Sequence, residues 1–418
     1  MSDDGEGAGG EGPPPRSLNP FRALQRHQNY RRFWIGYTVS LVGTWMRNVA
    51  QGWLALELTN DAFMVGLVGA VGNLPVLLLS LYGGVLADRY SKLRIVRSTQ
   101  TLLLVEAALM WWFTWTGRIT VPWLLALATF AGMVSAFDVP ARQSLQVELV
   151  GKEDLLDAIA LNSSGFNLAR IVGPAIAAFI IAHAGLAWCF GVNAVSYLAV
   201  LIGLLAIRLP DVPLRRATTS PLRDLWRAIL YMTRTREVSA LMRLVAVFSI
   251  FGVPYLVLMP VVARDVLHTD ASGYGLLLTC VGIGAIAAAL TLAALGRRIR
   301  QGVLLERAAY GFSILLIGLA LSTSVKLSAG LMMAIGFAMI CNNALANTLL
   351  QTIVPDALRG RVMAAYALVF IGFSPIGQLV GGLIASRFGV QWAIGGGALA
   401  MLAYSVWAFA RYGELRRL

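Results

Sequence analysis

Apolar residues run through this chain in long unbroken stretches rather than at alternating positions. The stretches fall near 33–57, 63–87, 95–117, 121–142, 158–182 and 187–208, and again near 241–264, 273–296, 303–324, 328–350, 361–386 and 390–411. Each approaches or exceeds the roughly 20 apolar residues that a helix needs to cross a bilayer. A membrane barrel strand would alternate at period two. The pattern therefore predicts an all-α membrane protein with twelve transmembrane helices in two sets of six.

Composition sharpens this reading. Hydrophobic residues make up 58% of the 418 positions and charged residues 13%, with a mean hydropathy of +0.71. Soluble domains carry roughly 25% charged residues, so a soluble fold is excluded. Cys189, Cys280 and Cys341 lie inside spans at unhelpful spacings and suggest neither a disulfide framework nor a metal site. The net charge of +13 is dispersed over short loops rather than gathered on one face, which argues against a nucleic-acid partner. Basic residues crowd alternate loops, among them Arg89–Arg97, Arg208–Arg236 and Arg297–Arg300. By the positive-inside bias, both termini are expected in the cytoplasm.

The expected organisation is a disordered cytoplasmic tail over residues 1–30, a six-helix bundle over 31–208, a cytoplasmic linker over 209–239, a second bundle over 240–411 and a tail over 412–418. Within the linker, residues 222–231 are amphipathic at helical period and should lie along the membrane surface. The two bundles look like copies. Gly173, Gly185 and Trp188 recur 204 residues later as Gly377, Gly389 and Trp392.

Between the second and third spans stands a tight charged turn, Gly84-Val85-Leu86-Ala87-Asp88-Arg89-Tyr90-Ser91-Lys92-Leu93-Arg94. Gly83, Gly84 and Ala87 permit a close helix approach, Asp88 is placed to cap the next helix, and Arg89, Lys92 and Arg94 mark the cytosolic side. This turn resembles the signature loop of the major facilitator superfamily through Gly84, Leu86, Ala87, Asp88, Arg89 and Lys92, with Ser91 where glycine is usual. Residues 136–145 and 161–174 are similar to the fourth and fifth helices of an exporter branch that includes enterobactin-exporter and macrolide-efflux-like proteins. Gly173-Pro174 resembles the fifth-helix motif of proton-driven drug antiporters, with Ala177-Ala178 replacing its usual Gly-Gly. The resemblance implies a substrate held near the midplane between two bundles, alternating access, and gating by Asp88 and Arg89 at the inner rim with Lys92 beside them.

Counting 1.5 Å per residue from the expected cytoplasmic ends places Arg47, Glu106 and Arg170 near mid-membrane. A lone charge at that depth costs at least ~2.5–3.5 kcal/mol, so each should pair or face water. Glu106 is a candidate proton carrier, or half of a static pair with arginine. Asp138 and Arg142 stand four apart on one helix face and are candidates for proton coupling and gating respectively. Three polar stripes follow helical spacing: Ser40, Thr44, Arg47, Asn48 and Gln51; Ser163, Asn167 and Arg170; and Asn343, Asn347 and Gln351. Each is either a wall of the substrate cavity or a helix–helix hydrogen-bonding face. The seventh and eighth spans are nearly all apolar, which suits an amphipathic substrate.

Other chemistry finds no footing. Gly282-Ile283-Gly284-Ala285-Ile286-Ala287 is a nucleotide-like string inside an apolar helix, no Gly-Lys-Ser/Thr phosphate loop occurs, and His27, His183 and His268 are far apart. No cofactor, metal or enzymatic activity is expected. The expectation is a monomeric inner-membrane exporter of an amphipathic small molecule, drug-like or siderophore, with protons and the lipid bilayer as its other partners. A lipid or lysolipid translocator, or a non-transporting receptor or scaffold on the same fold, are the alternatives.

Overall fold

The structure, a computed structural model, describes residues 21–151, 153–207, 229–295 and 300–417. Most of the amphipathic segment expected at 222–231 lies outside them. Twelve long helical segments fill the described residues. The first six are α1 (Gln28–Thr59), α2 (Ala62–Arg89), α3 (Lys92–Trp115), α4 (Val121–Val150), α5 (Leu155–Ala184) and α6 (Ala187–Leu205). The second six are α7 (Arg236–Val266), α8 (Ala271–Leu295), α9 (Gln301–Leu321), α10 (Val325–Ile353), α11 (Leu358–Phe388) and α12 (Val390–Arg411). Ten of these are long and apolar enough to span a membrane on composition alone. The other two, α1 and α3, carry Arg47 and Glu106, so polar residues lower the hydropathy of the two helices whose charges meet.

Prolines shape the packing. A proline lacks the N–H that would bond the carbonyl four residues back, which leaves that oxygen for a neighbour. Pro140 frees the Ala136 carbonyl of α4, and Gly83 of α2 lies so close that a Cβ there would sit 2.3 Å from that oxygen. Pro254 does the same for Ile250 in α7, against Gly377 of α11, at 2.2 Å. Flanking Pro254 and Pro260, α7 widens into π turns at Phe248–Gly252 and Val262–Val266. Gly84, next to Gly83, has open space around it.

The repeat is visible in backbone geometry. Gly173 of α5 packs on Trp45 of α1 as Gly377 of α11 packs on α7. Gly185 and Gly389 terminate α5 and α11 at φ +91° and +98°, a region open to glycine and closed to most other residues. The two halves meet along two seams, α2 with α11 and α5 with α8, which exchange with each other when the repeat is applied.

The charged turn differs from its expected form. Helix α2 runs through Asp88 to Arg89, and Ser91 occupies the N-cap of α3 without a side-chain bond. Asp88 therefore lies in the last turn of α2 and caps nothing. Tyr90 and Ser91 have φ of −126° and −61°, so a residue other than glycine fits there without strain. At the opposite end, Asn60 takes φ +52° and Asp61 caps α2 through Phe63 N–H at 2.9 Å, closing α1 to α2 in a two-residue turn.

Two terminal segments are more ordered than the sequence implies. A short helix, Arg22–Arg26, precedes α1, whose start at Gln28 is earlier than the expected span boundary. It docks on the α4–α5 turn, where Asp154 accepts a 2.9 Å contact from His27 Nε2 and pairs with Arg22 at 3.4 Å. After α12, Gly413–Arg417 forms a 3₁₀ turn that places Arg416 on Glu306 of α9 through two bonds of 2.6 and 2.7 Å. The His27 contact, and then the Arg22 and Arg26 charges, pull the Asp154 carboxyl below its usual range. A depressed acid stabilises the fold above its unfolded-state value and loses that contribution as pH falls through the folded value. The stability gap between the native chain and Asp154→Asn should therefore shrink below about pH 4, read as thermal midpoints in detergent across an acid series.

Candidate functional site

The first half holds two charge clusters at different depths. In the deeper one, Arg47 of α1 reaches Glu106 of α3, with Nη1 3.4 Å from Oε2. Glu106 is fully buried, and its Oε1 has no partner, as is also true of Arg47 Nε. A second arginine nitrogen, Nη2, lies 3.4 Å from Asn48 Oδ1. Tyr197 of α6 stands beside both charges. A cavity of about 340 Å³ opens next to the pair between α1, α2, α4, α7 and α8. Thr44, Arg47, Asn48, Gln51, Asn73 and Ser135 form its polar wall, and Val65, Val68, Val257 and Leu278 its apolar one.

The shallower cluster lies closer to the end that carries Arg89 and Lys92, the basic end. Asp138 of α4 accepts from Thr99 Oγ1 at 2.7 Å and from Gln100 Nε2 at 2.9 Å on one oxygen, and from Arg142 Nε at 3.0 Å on the other. The Arg142 guanidinium stacks 4.3 Å over the ring of Tyr37 and donates to its hydroxyl. Three helices, α1, α3 and α4, are thus tied through one carboxylate with both oxygens occupied. Lys92 binds Glu148 of its own half at 2.6 Å. Asp88 and Arg89 are exposed and have no side-chain partner among the described residues.

Arg170 of α5 sits where the halves touch. It is 8% exposed, and its guanidinium Nη2 lies 3.8 Å from the Met339 sulfur of α10, a sulfur that the Tyr255 hydroxyl of α7 also approaches at 3.9 Å. Among the described residues no carboxylate comes within ion-pair distance of it. A thioether is a weak acceptor, so this buried cation lacks a full counter-charge.

Contacts between the halves gather away from the basic end. Gly66 of α2 abuts the Gln378 carbonyl and Gly382 of α11, Gly275 of α8 abuts Pro174 and Ala178 of α5, and Arg264 reaches the Leu56 carbonyl at 3.5 Å. On the basic side of Arg170, by contrast, Ser163, Thr348, Gln351 and Thr352 are exposed, with Asn167, Asn343 and Asn347 half-buried. Polar side chains at that depth require water or protein partners. They share the stretch between Arg170 and the basic end.

The three stripes occupy different places in the structure. Arg47, Asn48 and Gln51 line the 340 Å³ cavity. Asn167, Asn343, Asn347 and Gln351 lie on the basic side of Arg170, where Asn167 Nδ2 bonds the Ser163 carbonyl at 2.8 Å and Gln351 bonds Asn347. Arg170 marks the level between. Sequence reasoning missed Tyr37, Thr99, Gln100, Tyr255 and Met339. The Thr99-Gln100 pair within an apolar span was the one available signal; Tyr255 and Met339 read as ordinary apolar lining.

Comparison with known proteins agrees with this architecture. The family model for transmembrane secretion effectors matches residues 17–413. The staphyloferrin A transporter of Staphylococcus aureus is 26% identical over 352 residues, 84% of this chain and 87% of the relative. The enterobactin exporter EntS of Citrobacter koseri is 27% identical over 403 residues, 94% of each chain. A solved bacterial homolog of the human lysosomal transporter Spinster, inward-facing and unoccupied, has a TM-score of 0.71 at 15% identity over 95% of this chain and 97% of that one.

Removing one member of a buried pair leaves the other charge without compensation. Arg47→Ala should lower stability by about 3–5 kcal/mol, and Glu106→Gln by a comparable amount, because it leaves the Arg47 guanidinium charged and without a counter-ion. The Arg47→Met/Glu106→Leu double variant should recover most of the loss. Thermal midpoints of the three purified variants in one detergent check the order.

Proposed function

Since this chain belongs to the transmembrane secretion effector family of the major facilitator superfamily, we propose that it exports an amphipathic small molecule, of the siderophore or drug-like class, in exchange for protons. It does so as a monomer by alternating access in the inner membrane. Excess cations assign the basic end to the cytoplasm. The exposed polar side chains on the basic side of Arg170 then line a vestibule that opens inward, and the contacts near Gly66 and Gly275 close the outer side.

The observation that carries this reading is the Arg47–Glu106 pair beside its cavity. A fully buried carboxyl with one oxygen held by arginine and the other without a partner is poised between two states. Arginine favours the anion, whereas desolvation favours the protonated acid. Water entering from either side shifts that balance. Asp138, whose oxygens accept three hydrogen bonds, serves as a brace with Arg142 and Tyr37, and proton coupling falls to Glu106. Asn48, Gln51, Asn167, Asn343, Asn347 and Gln351 offer hydrogen bonds to the substrate on either side of Arg170. Arg170 meets an anionic group, which supplies the missing counter-charge. Asp88, Arg89 and Lys92 close the inner rim against the second half when the vestibule shuts.

The siderophore class is favoured by what the relatives are named for, and the division of polar and apolar walls around the 340 Å³ cavity fits an amphipathic molecule. Proton flux in proteoliposomes, measured against a panel containing enterobactin, staphyloferrin A, cationic dyes and a fluorescent lysolipid, tests the reading. A panel member should drive proton movement in the native chain. Glu106→Gln should abolish that movement while changing binding by no more than about tenfold, because one neutral hydrogen bond is worth only about 0.5–1.5 kcal/mol. Selective movement of the lysolipid would instead assign lipid translocation. Binding without movement of any compound would assign a receptor.

A further inference from the structure

A second cavity, of about 630 Å³, lies on the outer face of the first half, apart from the transport site. It is a groove between α3 and α4, flanked at the basic end by the last turn of α2. Leu86, Ile95, Leu102, Phe130, Met133 and Phe137 form an almost wholly apolar wall. Leu102 and Met133 are 43% and 39% exposed, so the groove faces the bilayer rather than the vestibule. Arg94 stands at its basic mouth with Tyr90 and Ser91. Arg94 is exposed and has no side-chain partner among the described residues, whereas nearby Lys92 is taken by Glu148. Eight residues separate Arg94 from Leu102, a helical rise of about 12 Å, enough for the upper part of an acyl chain.

We propose that this groove binds one anionic glycerophospholipid of the leaflet at the basic end, its phosphate on Arg94 and one acyl chain along Leu102 and Phe130–Phe137. Charge complementarity selects the headgroup. A cation free of protein partners at interfacial depth, directly above an apolar slot, matches a lipid anion joined to a hydrocarbon tail. Tyr90, 58% exposed at the same level, supplies the aromatic ring that favours the interface. Asp88 is the nearest acid along the chain and does not line the groove.

The site also touches the brace. Thr99 lines the groove and donates its hydroxyl to Asp138, so a chain seated there packs against the joint that ties α3 to α4 and, through Arg142 and Tyr37, to α1. An occupied groove should stiffen that joint, and the thermal midpoint should rise with lipid occupancy. The inference does not depend on the identity of the transported molecule.

The test uses the full chain in nanodiscs of phosphatidylcholine doped with either phosphatidylglycerol or phosphatidylcholine bearing a photoreactive acyl chain. Crosslinks should map to residues 94–102 and 130–137 and favour the anionic probe. Arg94→Gln should reduce that preference about fivefold, the worth of one basic residue at an anionic surface. Leu102→Trp should block labelling by filling the slot, and Arg118→Gln, at the opposite end, should change neither. Equal labelling by both probes, or crosslinks outside the groove, would overturn the proposal. Displacement of the lipid by a transported compound would overturn it in favour of lateral substrate access.

Discussion

An arginine and a glutamate, both inside the bundle and only 3.4 Å apart, impose the strongest constraint on this molecule. Their desolvation is large, and their attraction offsets it only where geometry and further hydrogen bonds are good. Here they are incomplete: Arg47 Nε and Glu106 Oε1 lack partners. The helices that carry them pay in hydropathy, which is why α1 and α3 fall short of the apolar standard that the other ten spans meet. Such a pair makes a poor structural staple and a good switch, since a proton or a water molecule changes its balance.

In the proposed cycle, the rest of the architecture brings water to that pair and takes it away. Two quasi-equivalent halves meet along α2–α11 and α5–α8, and each seam is tightened by small residues at its end away from the basic loops. Prolines within α4 and α7 free carbonyls that glycines on α2 and α11 cover, so these helices pack close without a continuous hydrogen-bond ladder. Close packing by small residues leaves little side-chain interlock. That suits surfaces that must part and re-form. Arg170, approached by the Met339 sulfur and close to Tyr255 rather than held by a carboxylate, lies where the two halves touch.

Much of this was legible in the chain. Unbroken apolar runs located the spans, and counting turns from their ends placed Arg47, Glu106 and Arg170 at mid-depth because helical rise is constant. The recurrence of Gly185 as Gly389 announced two helix ends with the same positive φ. What stayed hidden depended on how helices face one another. The three polar stripes look alike in sequence, yet the one on α1 borders the 340 Å³ cavity and those on α5 and α10 do not, a distinction set by seams that no single helix records. Asp88 has the right residue type for a cap but lies one turn too early, because α2 continues to Arg89. The partners of Arg170 are a methionine and a tyrosine, residue types that packing alone would explain.

Infrared difference spectroscopy of the chain in lipid, comparing the native protein with Glu106→Gln, measures the central claim directly. The account predicts a protonated-carboxyl band, absent from the variant, that grows as pH is lowered and shrinks when a transported compound binds. A Glu106 signal fixed in one protonation state throughout, whether or not a compound is bound, would contradict it.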